Sequence, residues 1–344
     1  MSAAPLDPTP ILETAFAFFG SRTLLAAAEL GLFTRLGDEA LTAGELGGAL
    51  ELHERGTYDF FDALVAMRFL DRDGDGPSAR YRNTPATRQF LVRTSPAYLG
   101  GILEMASARL YPFWADLPEG LRTGRPQNEV KRTGRAVFEE LYADPAKLEQ
   151  FLAAMAGISR GNFAALAQKF DFSSYRTLCD VGGAAGILSI EVAKAHPHMA
   201  CTSFDLPVVA PIAARTVDAA GLSGRIEVAS GDFFSGPLPK ADVITMGMIL
   251  HDWNLEKKKH LVKAAYDALP PGGAFVAVEH LIDDARRENA FGLWMSLNML
   301  IEFGDQAFDF TGADFDGWAR EAGFARTEVL HLAGPCSAGI AYKA

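Results

Sequence analysis

Three aspartates each close a short apolar run: Asp180 in TLCDV, Asp205 in CTSFD and Asp232 in VASGD. A fourth run, VITMGMIL, closes on His251. An imidazole with an ordinary pKa of about 6.5 can accept a proton at neutral pH, and such general-base help is worth about 10²- to 10⁴-fold in rate. Gly182, Gly183 and Gly186 follow Asp180, so the chain can turn with positive φ there and bring its backbone against a ligand. The spacing is not the GxGxxG of a dinucleotide site, and a carboxylate beside the glycines repels a pyrophosphate. It suits a cationic or amine-bearing ligand instead. Asp205 lies 25 residues after Asp180, near the place expected for a ribose-binding carboxylate, about 20 residues on. Asp232 could take the amino group of a base on which the neighbouring Phe233 stacks.

These residues need a scaffold that brings strand ends together. From about Tyr175 the sequence alternates short apolar runs with helical stretches of ten to fifteen residues: TLCDV, ILSIEVAKAH, CTSFD, VVAPIAARTVDAAG, IEVAS, ADVITMGMIL, EKKKHLVKAAYDAL and AFVAVEHLI. Right-handed crossovers then give a parallel, doubly wound α/β sheet, in which ligands sit beyond the carboxyl ends of the strands at the topological switch point. The tail predicts helices over 289–303 and 313–322 and two further strands, ARTEVLHL and AGIAYK. His251 is expected to end the fourth strand.

The first hundred residues read as amphipathic helices, Ile11 to Glu29 and Tyr58 to Leu70, ending in a Gly/Pro/Asp-punctuated hairpin from Asp71 to Pro85. That outline is a winged helix. Its helix DFFDALVAM is acidic and apolar, and a net charge of −11 opposes phosphate backbones, so a DNA reader is disfavoured and a packing or dimerisation module expected. Between 96 and 169 the chain is again helical, with large apolar residues at Met105, Phe113, Trp114, Phe138, Phe151, Met155 and Phe163. At 344 residues there is room for two domains. Cys179, Cys201 and Cys336 lack CxxC spacing and read as buried thiols in a reducing compartment. With no signal-like N-terminus and no uninterrupted apolar run of about 18 residues, a cytoplasmic protein without membrane contact is expected.

DVGGAAG, FDLP, GDFF, HDW and ALPPGG, in that order, resemble the S-adenosylmethionine-dependent O-methyltransferases of the plant caffeate and bacterial small-molecule type. LAAAELGLF, YRNTPATRQFL and YADPAKLEQFLAAM extend the likeness over nearly the whole chain. The resemblance implies a Rossmann-like methyltransferase sheet with a C-terminal antiparallel strand pair over 171–344. It further implies a mainly helical, winged-helix-like dimerisation domain over 1–100, a helical linker over 101–170 that contributes to the substrate pocket, and a homodimer. The implied cofactor is S-adenosylmethionine, held by Asp180, Gly182, Gly183, Gly186, Asp205, Leu206, Asp232, Phe233 and Met246. The family loop is usually GGGTG, whereas Ala184 and Ala185 stand here, and a lysine found in some members is Gly247.

By the same resemblance His251 is the general base for a hydroxyl on a small, phenolic or polyketide-like acceptor. Glu279 orients it, and so does a second acid taken as Asp309, with Asp305 and Glu302 as alternatives. Met105, Phe151, Met155, Trp253, Met295, Asn298 and Met299 are the implied acceptor pocket, and no metal is expected. The alternatives are N- or C-methylation, a relative that has lost methyl transfer, or a ligand-sensing regulator that binds DNA through its N-terminal region.

Overall fold

Thr42 opens one short helix of the N-terminal region by a reciprocal cap: its hydroxyl accepts from the Glu45 amide at 3.3 Å, and the Glu45 carboxylate accepts from the Thr42 amide at 2.8 Å. That helix, Ala43–Ala49, is followed by Glu54–Ala66. Beside them lies a small sheet of β1 (Leu41–Thr42), β3 (Arg80–Asn83) and β2 (Leu70–Asp73), in that order. The helix expected to reach Leu70 stops at Ala66, because Arg68 turns to positive φ (64°) and Leu70 begins a strand. Leu32, Phe33, Leu36, Leu46, Phe61, Leu64 and Tyr81 form the core of this unit. The computed structural model describes residues 6–135, 142 and 144–344. One unit extends to Pro112 and the other spans Phe113–Ala344. Phe138, expected among the apolar residues of the middle region, lies outside the described residues.

The first long helix, Thr9–Glu29, has no uninterrupted apolar run of about 18 residues, yet it is apolar and long enough to cross a membrane by length and composition. Its apolar side chains are largely uncovered: Ile11 is 72% exposed, Phe19 59% and Phe16 51%. Phe16 and Phe19 stack on each other at 5.3 Å between ring centroids. A continuous apolar face of this kind needs a partner surface.

In the second unit seven strands form one sheet. Added to those above are β4 (Thr177–Val181), β5 (Ala200–Asp205), β6 (Ile226–Ser230), β7 (Val243–Gly247), β8 (Ala274–Glu279), β9 (Arg326–Ala333) and β10 (Cys336–Tyr342). The order is β6-β5-β4-β7-β8-β10-β9. All neighbours run parallel except β10, which is antiparallel to both β8 and β9. Buried Leu178, Val243, Val276 and Ile340 pack on one face, and Ile244, Met246, Phe275 and Ala341 on the other, so both faces are covered, as a parallel sheet requires. The chain order reverses between β4 and β7. The carboxyl ends of those two strands, Asp180-Val181 and Gly247, therefore border the crevice where ligands sit in this architecture.

Candidate active site

The loop after β4 is built by its glycines and tied to β5. Gly182 and Gly186 have φ of 72° and 78°, which a side chain adopts only with strain. At Gly183 a Cβ would fall 2.3 Å from Ser203 Oγ and 3.1 Å from the Asp180 carbonyl oxygen, so no side chain fits. Asp205 closes the loop from the next strand, its carboxylate accepting from the Ala184 amide at 2.8 Å and the Leu206 amide at 2.7 Å. Asp180 is buried and accepts from Thr245 Oγ1 at 2.8 Å. Burial raises its pKa to about 7 against the help of that hydroxyl, with the charge of Asp205 adding to the rise. Burial raises Asp205 as well. Among the described residues no lysine or arginine pairs with either carboxylate. One buried and one half-buried acid at a backbone cradle, with no counter-ion among the described residues, fit a ligand bearing an ammonium and a sulfonium, which is the chemistry of S-adenosylmethionine.

The departures at Ala184, Ala185 and Gly247 have local explanations. Ala184 takes up φ of 47°, yet its methyl packs with the cluster of Leu148, Leu152 and Val209. Ala185 is buried in the sheet core. At Gly247 a Cβ would lie 2.8 Å from the Phe163 ring, so that aromatic side chain fills the space a longer residue would need. Asp232 is exposed and caps its own turn, accepting from the Phe234 amide at 2.8 Å and from Ser235 Oγ at 2.6 Å, bonds that hold its carboxyl below the usual range. Phe233 packs against Phe234 and Trp253, with centroids at 4.8 and 6.0 Å. The Met246 side chain lies wholly inside the core, so its backbone is what borders the crevice.

His251 does not end a strand as expected. β7 stops at Gly247, Met248 takes a strained φ of 58°, and the ring is carried on a single 3-10 turn, Leu250–Asp252. Met248 donates to the Val278 carbonyl at 2.9 Å, and Leu250 donates to Glu279 Oε1 at 2.9 Å, so β8 fixes the turn. Asn254 then caps the helix Leu255–Ala268, its side chain accepting from the Lys257 amide at 3.1 Å.

Three carboxylates surround the buried imidazole. Nδ1 lies 3.4 Å from Asp309 Oδ1 and 4.0 Å from Glu279 Oε2, and Nε2 lies 3.4 Å from Asp252 Oδ1. These are charge contacts, longer than closed hydrogen bonds. Burial alone pushes the ring's pKa down, but the charges of Asp252, Glu279 and Asp309 outweigh it and raise it to about 10. Burial in turn raises Asp252 to about 6 and Glu279 to about 7, despite the nearby imidazole. The donor atoms of His251, Glu279 and Asp309 fall within 4.8 Å of one another, near enough to hold a cation, and a protonated ring supplies that positive charge itself.

Of the three acids considered for the second brace, Asp309 reaches the ring. Asp305 is exposed and accepts from Gln306 Nε2 at 2.6 Å, while the Glu302 carboxylate accepts from Asn128 Nδ2 at 2.7 Å. Asp309 is held beside the ring by its own backbone, which donates to Ser296 Oγ at 3.2 Å, and by Phe308, which donates to the His251 carbonyl at 3.0 Å. Neither Ser296 nor the third acid, Asp252, was assigned a role at the ring from the sequence, and neither was Lys258, a wholly buried lysine seven residues after the histidine. A lysine in the first turn of a helix otherwise carries no sign of burial.

The expected acceptor residues come from several elements. Met295, Asn298 and Met299 lie on the helix Ala290–Phe303, and Phe151 and Met155 on Pro145–Lys169. Asn298 accepts from Trp114 Nε1 at 3.0 Å, so its amide is at least partly engaged. Trp253 packs edge-on to Phe234 at 4.8 Å with the Lys257 ammonium 4.4 Å from its centroid. Met105 belongs to the first unit and is described there, at the end of the helix Gly100–Met105.

Residues 114–325 match the family model of the O-methyltransferase domain, and residues 12–93 match that of the O-methyltransferase dimerisation domain. The chain is 40% identical to the tetracenomycin polyketide synthesis 8-O-methyl transferase of Streptomyces glaucescens over 98% of this chain and 97% of that protein. An N,N-dimethyltransferase of Streptomyces rimosus is 36% identical over 83% of each. The crystal structure of human N-acetylserotonin methyltransferase in complex with S-adenosylmethionine superposes with a TM-score of 0.90 at 28% identity, covering 100% of this chain and 99% of that one. With a cradle suited to a cationic ligand and a sheet of this order, the chain belongs to the S-adenosylmethionine-dependent O-methyltransferases.

Proposed function

We propose that the protein transfers the methyl group of S-adenosylmethionine to a hydroxyl of a small aromatic or polyketide-like acceptor, with His251 as general base. The observation that carries this reading is the buried His251 ring, set among three carboxylates on a turn beside the switch-point crevice. The cofactor supplies an activated methyl on a positively charged sulfur, which leaves the protein to align the acceptor oxygen and remove its proton. Asp180 and Asp205 offer the carboxylates for the cofactor's positive and hydroxyl groups, Gly182, Gly183, Gly186 and Leu206 the backbone, and Asp232 and Phe233 the outer edge of the same cradle. Asp309 and Glu279 face Nδ1, so Nε2, which has only Asp252 beside it, is assigned as the atom that takes the hydroxyl proton. An imidazolium held to about 10 and a phenol of ordinary pKa about 10 exchange a proton at little cost. Both groups are protonated at neutral pH, so one proton must leave to solvent before the ring can take that of the hydroxyl.

Trp253, Met295, Met299, Phe151 and Met155, all of the second unit, are assigned as apolar walls suited to a flat ring. The N-terminal unit, with its uncovered helix Thr9–Glu29, is assigned as the winged-helix-like dimerisation module of a cytoplasmic homodimer. Methylation of an amine is the second reading, favoured by the N,N-dimethyltransferase relative. Isothermal titration with S-adenosylmethionine, followed by turnover on hydroxylated and aminated aromatic acceptors with His251→Ala beside the parent, separates the readings. Loss of about two to four decades on a phenol with cofactor affinity retained supports the base. Unchanged turnover refutes it.

A further inference from the structure

Lys258 has no part in the reaction as described, yet it is completely buried. It sits in the first turn of the helix Leu255–Ala268, and its ammonium donates to the Trp253 carbonyl, two residues past His251. The same nitrogen lies 3.5 Å from the centroid of the Phe308 ring and 5.8 Å from that of Phe310, the two residues that flank Asp309. One cation thus touches both the turn that carries the base and the segment that carries its brace. A buried ammonium is costly unless charges of opposite sign surround it. Those charges are Asp252 on the turn, Glu279 at the end of β8 and Asp309 before the helix Gly312–Ala322. The other ionisable groups close to this cluster are His251 itself, Glu302 and His280; burial lowers the His280 ring to about 4 and so keeps that ring neutral.

We propose that Lys258 is a positioning residue: its ammonium pins the Trp253 carbonyl against the Phe308 segment and supplies a second positive charge that offsets Asp252, Glu279 and Asp309 around His251. With the imidazolium as the sole cation, three carboxylates leave two uncompensated negative charges in a buried site. Lys258 reduces that to one, and a cationic cofactor in the adjoining crevice would meet the remainder. Burial lowers the lysine to about 8 against the pull of the same three acids, so it carries its charge at neutral pH. The inference rests on His251 being the base only for its kinetic consequence, because the charge balance exists in the ligand-free protein.

The test replaces Lys258 by methionine, which keeps the stem and removes the charge, and by arginine, which keeps the charge. In ligand-free protein, carboxyl titration followed by ¹³C NMR should show at least one of the three acids in Lys258→Met shifted upward by about one unit or more. The acid limb of kcat/KM should move up with it, a fall of about tenfold near neutral pH for each unit. Lys258→Arg should keep both near their parent positions even where its bulk lowers Tm. Carboxyl titrations that do not move in Lys258→Met, with only Tm reduced, would overturn the proposal and leave a packing role. If Lys258→Met does not fold, Lys258→Met/Asp252→Asn decides: a double variant more stable than the single one supports charge compensation, and one no more stable refutes it. An active His251→Ala would end the base assignment while the ligand-free titration still judged Lys258.

Discussion

Asp309→Asn gives the sharpest test of how the site holds its proton. The substitution keeps the size of the side chain and removes one charge 3.4 Å from His251 Nδ1. At an effective dielectric constant of about 20, a unit pair at that separation is worth about 5 kcal/mol, the equivalent of about 3.5 pKa units. Glu279 and Asp252 remain beside the ring and take over part of the compensation, so the expected fall is about one to three units. His251 should then titrate between about 7 and 9 in place of about 10. The ring Hε1 resonance, followed by NMR across pH in ligand-free protein and assigned by comparison with His251→Ala, reads this directly. In turnover the acid limb of log kcat/KM should move to lower pH by the same amount, because less alkali is needed to free the base. The plateau should fall by a decade or more, since a weaker base with a looser Nδ1 contact drives proton removal less well. A limb that stays in place while the ring's titration moves would mean that the limb reports another group. A ring titration that stays in place would refute the electrostatic account itself.

Three other outcomes follow from particular residues. Ala184→Gly removes a methyl from a backbone at φ of 47° and should raise ligand-free stability by up to about 1 kcal/mol, less what is lost from the Leu148, Leu152 and Val209 cluster; a Tm lowered by several degrees would show that the packing outweighs the strain. Gly183→Ala places a Cβ 2.3 Å from Ser203 Oγ and should abolish S-adenosylmethionine binding in calorimetry, and affinity at the parent level would refute the close-packed cradle. Asp180 and Glu279, both buried, and the half-buried Asp252, raised to about 7, about 7 and about 6, retain protons in the folded state that the unfolded chain has released. Their stabilisation is complete below the ordinary carboxyl range and disappears as pH rises through about 6 to 7, and that of His251 is full below about 6.5 and lost toward about 10. Scanning calorimetry of the ligand-free protein should therefore show Tm falling from pH 5 to 8, and a rising Tm would contradict the sign.

Strand and helix periodicity made the α/β unit legible because each strand is apolar on both faces and ends at a turn with its own chemistry. β4 and β6 match the segments TLCDV and IEVAS residue for residue. The errors fall where tertiary contacts override local pattern. MGMIL reads as strand, yet Met248 breaks it, since the hydrogen bond its amide donates to the Val278 carbonyl and the one Leu250 donates to the Glu279 carboxylate hold the chain in a conformation no propensity favours. Phe69 and Leu70 continue a helical spacing that Arg68 ends, because Leu70 gains a strand partner in Asn83. Neither partner is local in sequence.

The same distinction separates the legible from the illegible part of the site. Asp180 and Asp205 stand at or next to the carboxyl ends of neighbouring strands, so strand order alone brings them side by side, whereas His251 lies four residues past the end of β7 on a turn of its own. Asp252 and Lys258 were hidden because their neighbours in sequence predict solvent: an acid after a histidine, a lysine in EKKKH. What buries them is the charge each brings to the other's environment. An ammonium can be sealed beneath Phe308 only with acids close by, and three acids can be sealed around one imidazole only with more than one cation among them. Charge pairing across elements leaves no periodicity, so it becomes visible only after the elements are placed. A pocket of this kind is also poised: a site left with net negative charge binds a cationic cofactor more tightly than its neutral demethylated product, and the affinity difference between the two should shrink in Lys258→Arg/Asp252→Asn, where one acid is gone and the cation remains. Equal discrimination in that variant and the parent would show that the charge balance at His251 does not reach the cofactor.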